Sequence, residues 1–143
     1  MARLEYFIVC ESASVDAATN KISLFNILED IFPEEFPDDL RRVDAVALWH
    51  LDPEEERIDY HVTIRVTPPG LPVVDFPMNL SRGRLKYRAV VGIGHIPLQA
   101  PGELVFEVQL NGTHQAYHNV TIHMVGTLPF WQELPTTTNP GNP

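Results

Sequence analysis

The side chains in this sequence best suited to chemistry are its six histidines. Three of them follow one another in the C-terminal third, at His114, His118 and His123. On a helix, His114 and His118 at i and i+4 could grip one zinc ion. On a strand they lie about 13 Å apart at ~3.3 Å per residue, too far to share an ion with bonds of ~2 Å. His50 and His61 could join only from other strands, so we predict surface or hairpin histidines and no metal site.

The acidic residues concentrate in segments 29–39 and 52–59, which together hold more than half of the 19 in the chain. If both segments were loops at one end of the fold, their carboxylates could bind Ca²⁺, which takes about six to eight oxygen ligands. Neither segment has the Asp-x-Asp-x-Asp or glycine-bearing pattern of a calcium loop. We therefore expect a solvated acidic rim that aids solubility, and keep calcium or ligand binding by these loops as the alternative.

The basic residues also cluster. Four of the ten occupy alternate positions: Arg82, Arg84, Lys86 and Arg88. A strand through 82–91 would project them in one row, about 7 Å apart. Such a row could dock an acidic partner. The alternative, which we favour, is that the row forms cross-strand ion pairs with Glu103 and Glu107.

Two adjacent aromatic residues, Phe130 and Trp131, follow the last predicted strand. They either fold back over an open edge of the core or protrude and dock a partner. We favour folding back, because exposed Phe-Trp promotes aggregation. If they dock a partner instead, they and the basic row form the predicted interaction surface.

No catalytic motif is present in the sequence. It lacks a G-x-S-x-G nucleophile elbow and a phosphate-cradling glycine loop, since the segment from Gly92 to His95 has only two glycines. Cys10 lies in or at the end of an apolar strand, where a thiol is usually an inert small hydrophobe. We predict no catalytic residues, no cofactor and no enzymatic activity.

The whole chain suggests one soluble domain. Its 143 residues fit a single domain, and its 13 prolines favour strands and loops over helices. The formal charge of −9 repels phosphate backbones and anionic lipids, so we predict neither a nucleic-acid nor a membrane partner. One cysteine excludes an internal disulfide. Because no signal sequence or apolar run of ~20 residues is evident, we predict a cytoplasmic location.

Alternating apolar residues predict most of the fold. Period-two stretches at 58–66, 85–93 and 103–110 indicate half-buried strands. Asn111-Gly112 suits a type I′ turn between strands 103–110 and 114–125. Two further strands, 3–11 and 43–51, are partly apolar on both faces. Short strands separated by Pro-, Gly- and Asp-rich loops predict an all-β fold: one antiparallel β-sandwich of Ig-like or Greek-key type with seven to nine strands, over residues 1–133. The tail 134–143 is expected to be disordered.

Segment 21–32 is ambiguous, because its apolar residues fit both a helical face and a strand. Leu24, Ile27, Leu28 and Ile31 have helical spacing, whereas Ile22, Leu24, Phe25 and Ile27 alternate with one slip that a β-bulge would explain. The first set predicts a helix and the second a strand. Turn residues before the segment, and β-branched or aromatic neighbours, favour a strand that pairs with 3–11.

The sequence also resembles a known family. The motifs are Cys10-Glu11 after an apolar strand, the turn Thr19-Asn20-Lys21, the run Ile22–Leu28, Val46-Ala47-Leu48-Trp49, and Pro101-Gly102-Glu103. Together they are similar to short bacterial proteins known only as a domain of unknown function. The resemblance covers most of residues 4–125. It implies a compact β-sandwich in a bacterial cytoplasm and supplies no catalytic residues.

These observations predict a non-catalytic protein-interaction or assembly module. Its partner would be another protein, and edge strands could also pair two copies of the chain. Apolar anchors at Phe130 and Trp131 would supply affinity and the basic row would supply orientation.

Overall fold

A computed structural model describes residues 2–55, 59–80 and 85–132 of the chain. Arg82, Arg84 and the predicted tail 134–143 lie outside the described residues. Within the described residues the chain forms nine strands and one 3₁₀ turn at Pro53–Glu55. The strands are β1 Arg3–Val15, β2 Ile22–Ile27, β3 Asp30–Ile31, β4 Asp38–His50, β5 Tyr60–Thr67, β6 Val74–Leu80, β7 Lys86–Leu98, β8 Gly102–Leu110 and β9 Thr113–Ile122. The predicted all-β class is confirmed.

The nine described strands form two sheets, which pack as a β-sandwich. One sheet has the order β2-β1-β4-β7 and the other the order β3-β9-β8-β5-β6. Strands β2 and β3 are consecutive and form one edge of each sheet, so both lie on the same side of the sandwich. Strands β6 and β7 form the opposite side. The finer assignment to an Ig-like or Greek-key type stays a prediction.

The predicted C-terminal hairpin is confirmed. Strands β8 and β9 pair antiparallel from Gly102↔Ile122 to Leu110↔Thr113. Asn111 and Gly112 between them have φ of 51° and 80°, which is the left-handed region that a type I′ turn requires. Here the sequence was decisive because Asn and Gly accept this conformation at little steric cost.

Segment 21–32 is extended, and the helical alternative is wrong. It contains β2, which pairs with β1, and the short β3, which pairs parallel with β9. The predicted bulge is also wrong, because the pairing with β1 keeps one register from Val15↔Ile22 to Cys10↔Ile27. Apolar residues therefore occupy both faces of β2. Ile22 and Leu24 are half-buried, whereas Phe25 and Ile27 are about half exposed.

The core lies between the sheets. Its largest fully buried side chains are Trp49 of β4 and Phe106 of β8, surrounded by aliphatic residues of both sheets. The alternation predicted this arrangement: Val62 and Ile64 of β5, like Leu104 of β8, are fully buried. Burial of such side chains contributes roughly 1.5–3 kcal/mol each and is the main stabilising term.

A second buried cluster lies on the other face of the β2-β1-β4-β7 sheet. Cys10, Asp44 and Val46 are buried there but do not belong to the main core. The Ala13 amide donates to Asp44 Oδ2 at 2.8 Å. Arg88 of β7 donates to the side chain and backbone of Asn20. These contacts hold the hairpin of β1 and β2 over the outer face of the sheet.

The described parts of the two acidic segments lie at opposite ends of the sandwich, and Glu56 lies outside the described residues. Asp38 and Asp39 are the first residues of β4, and segment 52–59 follows its last residue, His50. β4 has 13 residues, so it spans roughly 40 Å at ~3.3 Å per residue. The two segments therefore cannot supply ligands to one ion, which was the arrangement that the calcium alternative required.

Candidate functional site

The most exposed apolar surface in the described residues is the segment from Met124 to Trp131. It follows β9 directly. Phe130 is 72% exposed and Trp131 52%. The other large apolar residues that the segment exposes are Met124, Val125 and Leu128. We refer to this segment as the aromatic patch.

The aromatic patch is anchored at one point. Trp131 makes an edge contact with Phe32, whose ring stacks on His123 at 4.2 Å between centroids. His123 Nε2 lies 2.8 Å from Asp30 Oδ1. Asp30 belongs to β3 and Phe32 follows it, so the anchor depends on the parallel pairing of β3 with β9. Trp131 thus folds back onto Phe32, as favoured above, but about half of Trp131 and 72% of Phe130 remain exposed.

Lys86 and Arg88, the two members of the predicted basic row within the described residues, have different environments. Lys86 is exposed, whereas Arg88 is half-buried and its guanidinium donates to Asn20 Oδ1 at 3.2 Å and Asn20 O at 2.9 Å. Arg88 is therefore committed to holding the β1–β2 turn. β7 and the aromatic patch lie on opposite sides of the sandwich, so the two parts of the predicted surface do not form one face.

For Lys86 and Arg88 the predicted ion pairs with β8 are wrong, because β7 and β8 belong to different sheets. Glu103 accepts a hydrogen bond from the Thr121 hydroxyl on β9. Glu107 lies 2.8 Å from His114 Nδ1, also on β9. Both carboxylates are therefore paired within the β3-β9-β8-β5-β6 sheet.

An apolar pocket, which the sequence did not predict, opens between β6 and β7. Its volume is about 220 Å³. The lining includes Pro68, Leu71, Pro72, Phe76, Ile96 and Pro97. His95, at the rim, has a φ of 57°, and its Nδ1 lies 3.0 Å from Asp39 Oδ2. The pocket brings together two distant stretches of chain, 66–76 and 94–97, and only the proline clustering hinted at it.

Four histidines each lie against one carboxylate: His50, His95, His114 and His123. His50 lies 3.0 Å from Glu5, and His118 contacts backbone atoms of β1 and of the link between β2 and β3. Within the parts of the chain that the structure describes, no three His, Cys, Asp or Glu side chains form a group that could hold a metal ion.

Cys10 is fully buried beneath the β1–β2 hairpin. Burial raises the pKa of its thiol, and the nearby Asp44 carboxylate adds to the shift. The thiol donates weakly to the carbonyls of Ser12 and Asp44. A neutral, inaccessible thiol is a poor nucleophile, so Cys10 has the properties of a structural residue.

The two-sheet sandwich thus carries two apolar surface features, the aromatic patch and the pocket between β6 and β7. Residues 5–123 match the family of unknown function DUF6941, and the chain belongs to this family. The resemblance noted in the sequence is thereby confirmed at the level of an uncharacterised domain family. No curated protein matches the chain.

The fold is similar to that of a solved DNA glycosylase structure. That structure is the Pseudomonas fluorescens alkylpurine DNA glycosylase AlkC bound to DNA containing an abasic site analog, with a TM-score of 0.54 and 11% identity. The match covers 86% of this chain but 30% of the glycosylase chain. At this identity the similarity concerns the fold alone. In residues 2–55, 59–80 and 85–132, no helix is long and apolar enough to cross a membrane.

Proposed function

We propose that this chain is a non-catalytic protein-interaction or assembly module that docks its partner on the aromatic patch. The observation that carries the proposal is the exposure of Phe130 and Trp131 beside other exposed apolar residues of one short segment. Contiguous exposed apolar patches mark interaction sites in soluble proteins, and Trp is enriched among the residues that dominate binding energy.

The anchor beneath the patch supports this role. Trp131 is held by Phe32, and Phe32 by His123, so the indole is partly ordered before a partner arrives. Ordering in advance lowers the entropy cost of binding. Glu29 and Asp30 lie at the rim of the anchor and are exposed. The partner surface should therefore be apolar at its centre and basic at the side that meets β3.

The test begins with tagged chain as bait in lysate of the source organism, followed by calorimetry with the purified partner. Phe130→Ala/Trp131→Ala should weaken binding by roughly 2 kcal/mol or more. Tyr117→Ala is the matched control, because Tyr117 is an aromatic residue of β9 that is 59% exposed outside the patch. A partner that binds the double variant as tightly as the wild type would refute the proposal that the aromatic patch is the docking site. If the bait captures no stoichiometric partner, the proposal that the chain is an interaction module is refuted.

Ligand binding is the second candidate, and the observation that favours it is the apolar pocket with His95 at its rim. Such a pocket suits a small apolar group that also accepts or donates one hydrogen bond. Fragment screening by NMR should shift resonances of Ile96 and Phe76, and Leu71→Trp should abolish the shifts by filling the cavity. A melting temperature that rises with calcium and falls with chelator would instead revive the calcium alternative.

We also propose that the chain acts in the bacterial cytoplasm. Its single cysteine has no partner for a disulfide within the chain, as expected of a reducing compartment. DNA occurs in the name of the structural neighbour, but we do not propose it as a ligand here. A chain with a formal charge of −9 repels the phosphate backbone that supplies most non-specific affinity.

A further inference from the structure

The hairpin of β1 and β2 forms a concave site on the outer face of the β2-β1-β4-β7 sheet. β1 pairs with β4 only as far as Cys10, and its last residues pair with β2. The hairpin then crosses the sheet, because Asn20 in its turn reaches Arg88 of β7. The space beside this crossing has a volume of about 580 Å³, which lies within the range of small-molecule sites, roughly 300–1,000 Å³. We refer to it as the hairpin cleft.

The wall that the hairpin contributes to the cleft is held in place by its own hydrogen bonds. The Asp16 carboxylate accepts the amides of Ala18 and Thr19 at 2.8 and 3.0 Å. The Asp16 amide donates to the Lys21 carbonyl at 2.9 Å and closes the turn. Asn20 has a φ of 60°, in the left-handed region that Asn adopts more readily than most residues. A wall that is ordered in advance lowers the entropy cost of binding.

Two cationic side chains line the hairpin cleft. Lys86 and Arg88 are two residues apart on β7, so they leave the same face of the strand about 7 Å apart. Each Nη atom of Arg88 donates one hydrogen to Asn20, which leaves a second N–H on each Nη. The Arg88 Nε is buried and has no acceptor within the described residues. The guanidinium is therefore partly desolvated and still has donors available.

Among the described residues, no carboxylate forms an ion pair with either cation. The acidic side chains of β1, its turn and the outer face of β4 have other partners. They are Glu5 with His50, Glu11 with Asn26, Asp16 with the amides of its own turn, and Asp44 with Ala13 and Arg42. A partly buried cation is unfavourable unless an opposite charge lies beside it. The hairpin cleft therefore favours an anion, although the whole chain has a formal charge of −9.

We propose that the hairpin cleft binds a small organic oxyanion, a carboxylate or phosphate monoester attached to an apolar body. The oxyanion accepts hydrogen bonds from the Lys86 ammonium and from the remaining Nη hydrogens of Arg88. The apolar body lies against Val15, Leu48 and Val90, of which Val15 and Val90 are 44% and 38% exposed. The site is independent of the aromatic patch, which lies on the opposite side of the sandwich from β7.

The first test is an NMR titration of the chain with octanoate and with octyl phosphate, which carry the two headgroups on the same apolar body. At least one of them should shift the amide resonances of Asn20, Arg88 and Val90, and the tighter of the two identifies the headgroup. Octylammonium, the same body with the opposite charge, should leave these resonances unchanged. The proposal is overturned if octylammonium shifts them equally, or if neither oxyanion shifts them at millimolar concentration. Shifts confined to the pocket at His95 would also overturn it.

Charge reversal in the cleft tests the role of the cations. Lys86→Glu should weaken binding of the tighter oxyanion by about tenfold or more, because it replaces attraction by repulsion. Arg41→Glu is the matched control, since it changes the net charge equally at an exposed position of β4. Lys86 pairs with His50, nine residues from Arg41, so the two sites lie roughly 30 Å apart at ~3.3 Å per residue. Equal weakening by both variants would assign the effect to net charge and overturn the site.

A carboxylate built into the cleft tests the site without removing either cation. Val90 follows Arg88 by two residues on the same face of β7, so Val90→Glu places an acid about 7 Å from Arg88. This variant should bind the oxyanion at least about tenfold more weakly than Val90→Gln, which has the same size and no charge. Circular dichroism confirms that both variants fold. If the two variants bind the oxyanion equally, whether tightly or weakly, charge does not govern the site and the proposal is overturned.

Discussion

His118 of β9 donates a hydrogen bond from Nε2 to the carbonyl oxygen of Leu28, at 2.6 Å. Its Nδ1 accepts the amide hydrogen of Val9 at 3.3 Å. An amide can only donate and a carbonyl can only accept, so the imidazole is the neutral tautomer with hydrogen on Nε2. One side chain therefore joins both sheets at the point where the chain passes from β2 to β3.

Replacing His118 should destabilise the sandwich measurably. His118→Ala leaves the Val9 amide and the Leu28 carbonyl without this partner in a partly buried place, which costs about 1–3 kcal/mol of unfolding free energy. Urea denaturation followed by circular dichroism measures the loss. Asn119→Ala is the control, since the neighbouring side chain is exposed and its removal should change stability by less than ~0.5 kcal/mol. Equal stability of both variants would show that the bridge contributes nothing.

Local patterns in the sequence predicted the strands and the Asn111-Gly112 hairpin, because period-two burial and positive φ are properties of short segments. Local patterns do not specify which distant strands pair with each other. Alternation places Arg88 on a face, where it could dock a partner or pair with β8, but alternation does not reveal that the β1–β2 turn returns to cover that face. The pocket at His95 cannot be predicted from local patterns for a similar reason, since it forms between edges of two different sheets.

The two tryptophans should respond differently to a quencher. Trp49 is fully buried in the core, whereas Trp131 is about half exposed in the aromatic patch. Acrylamide should therefore quench part of the emission strongly. In Trp131→Phe the remaining emission should be shifted to the blue and resist quenching. The reciprocal Trp49→Phe variant, if it folds, should keep the accessible component. Poor quenching of the wild type would mean that the patch is covered.

The Arg65–Asp75 pair should make a small, acid-sensitive contribution to stability. Arg65 donates to both Asp75 oxygens at 2.9 and 3.1 Å and holds the pKa of that carboxyl below its ordinary value of 3.8. A lowered folded-state pKa stabilises the protein above the unfolded value, and the gain disappears as pH falls through the folded value. Asp75→Asn should thus lower the melting temperature slightly at neutral pH and not at strongly acidic pH.

The control for this ion pair is Glu34→Gln, which removes one exposed carboxylate from a loop. The effect of Glu34→Gln on the melting temperature should be the same at neutral and at acidic pH. High salt should shrink the effect of Asp75→Asn at neutral pH, because both side chains are about 40% exposed. An effect of Asp75→Asn that persists unchanged in acid would assign its cause to packing and not to the ion pair.

Arg88 should control access to Cys10. The thiol is fully buried under the β1–β2 hairpin, and its raised pKa keeps it protonated at neutral pH, so a thiol reagent should label it slowly in the folded protein. Arg88→Ala removes both hydrogen bonds to Asn20 and should raise the labelling rate by about tenfold, through easier local opening of the hairpin. Lys86→Ala, two positions earlier on β7, is the matched control and should label at the wild-type rate. If both variants label alike, the hairpin is held by the pairing of β1 with β4 and not by Arg88, and Arg88 again becomes available as the docking residue that the alternating basic row suggested.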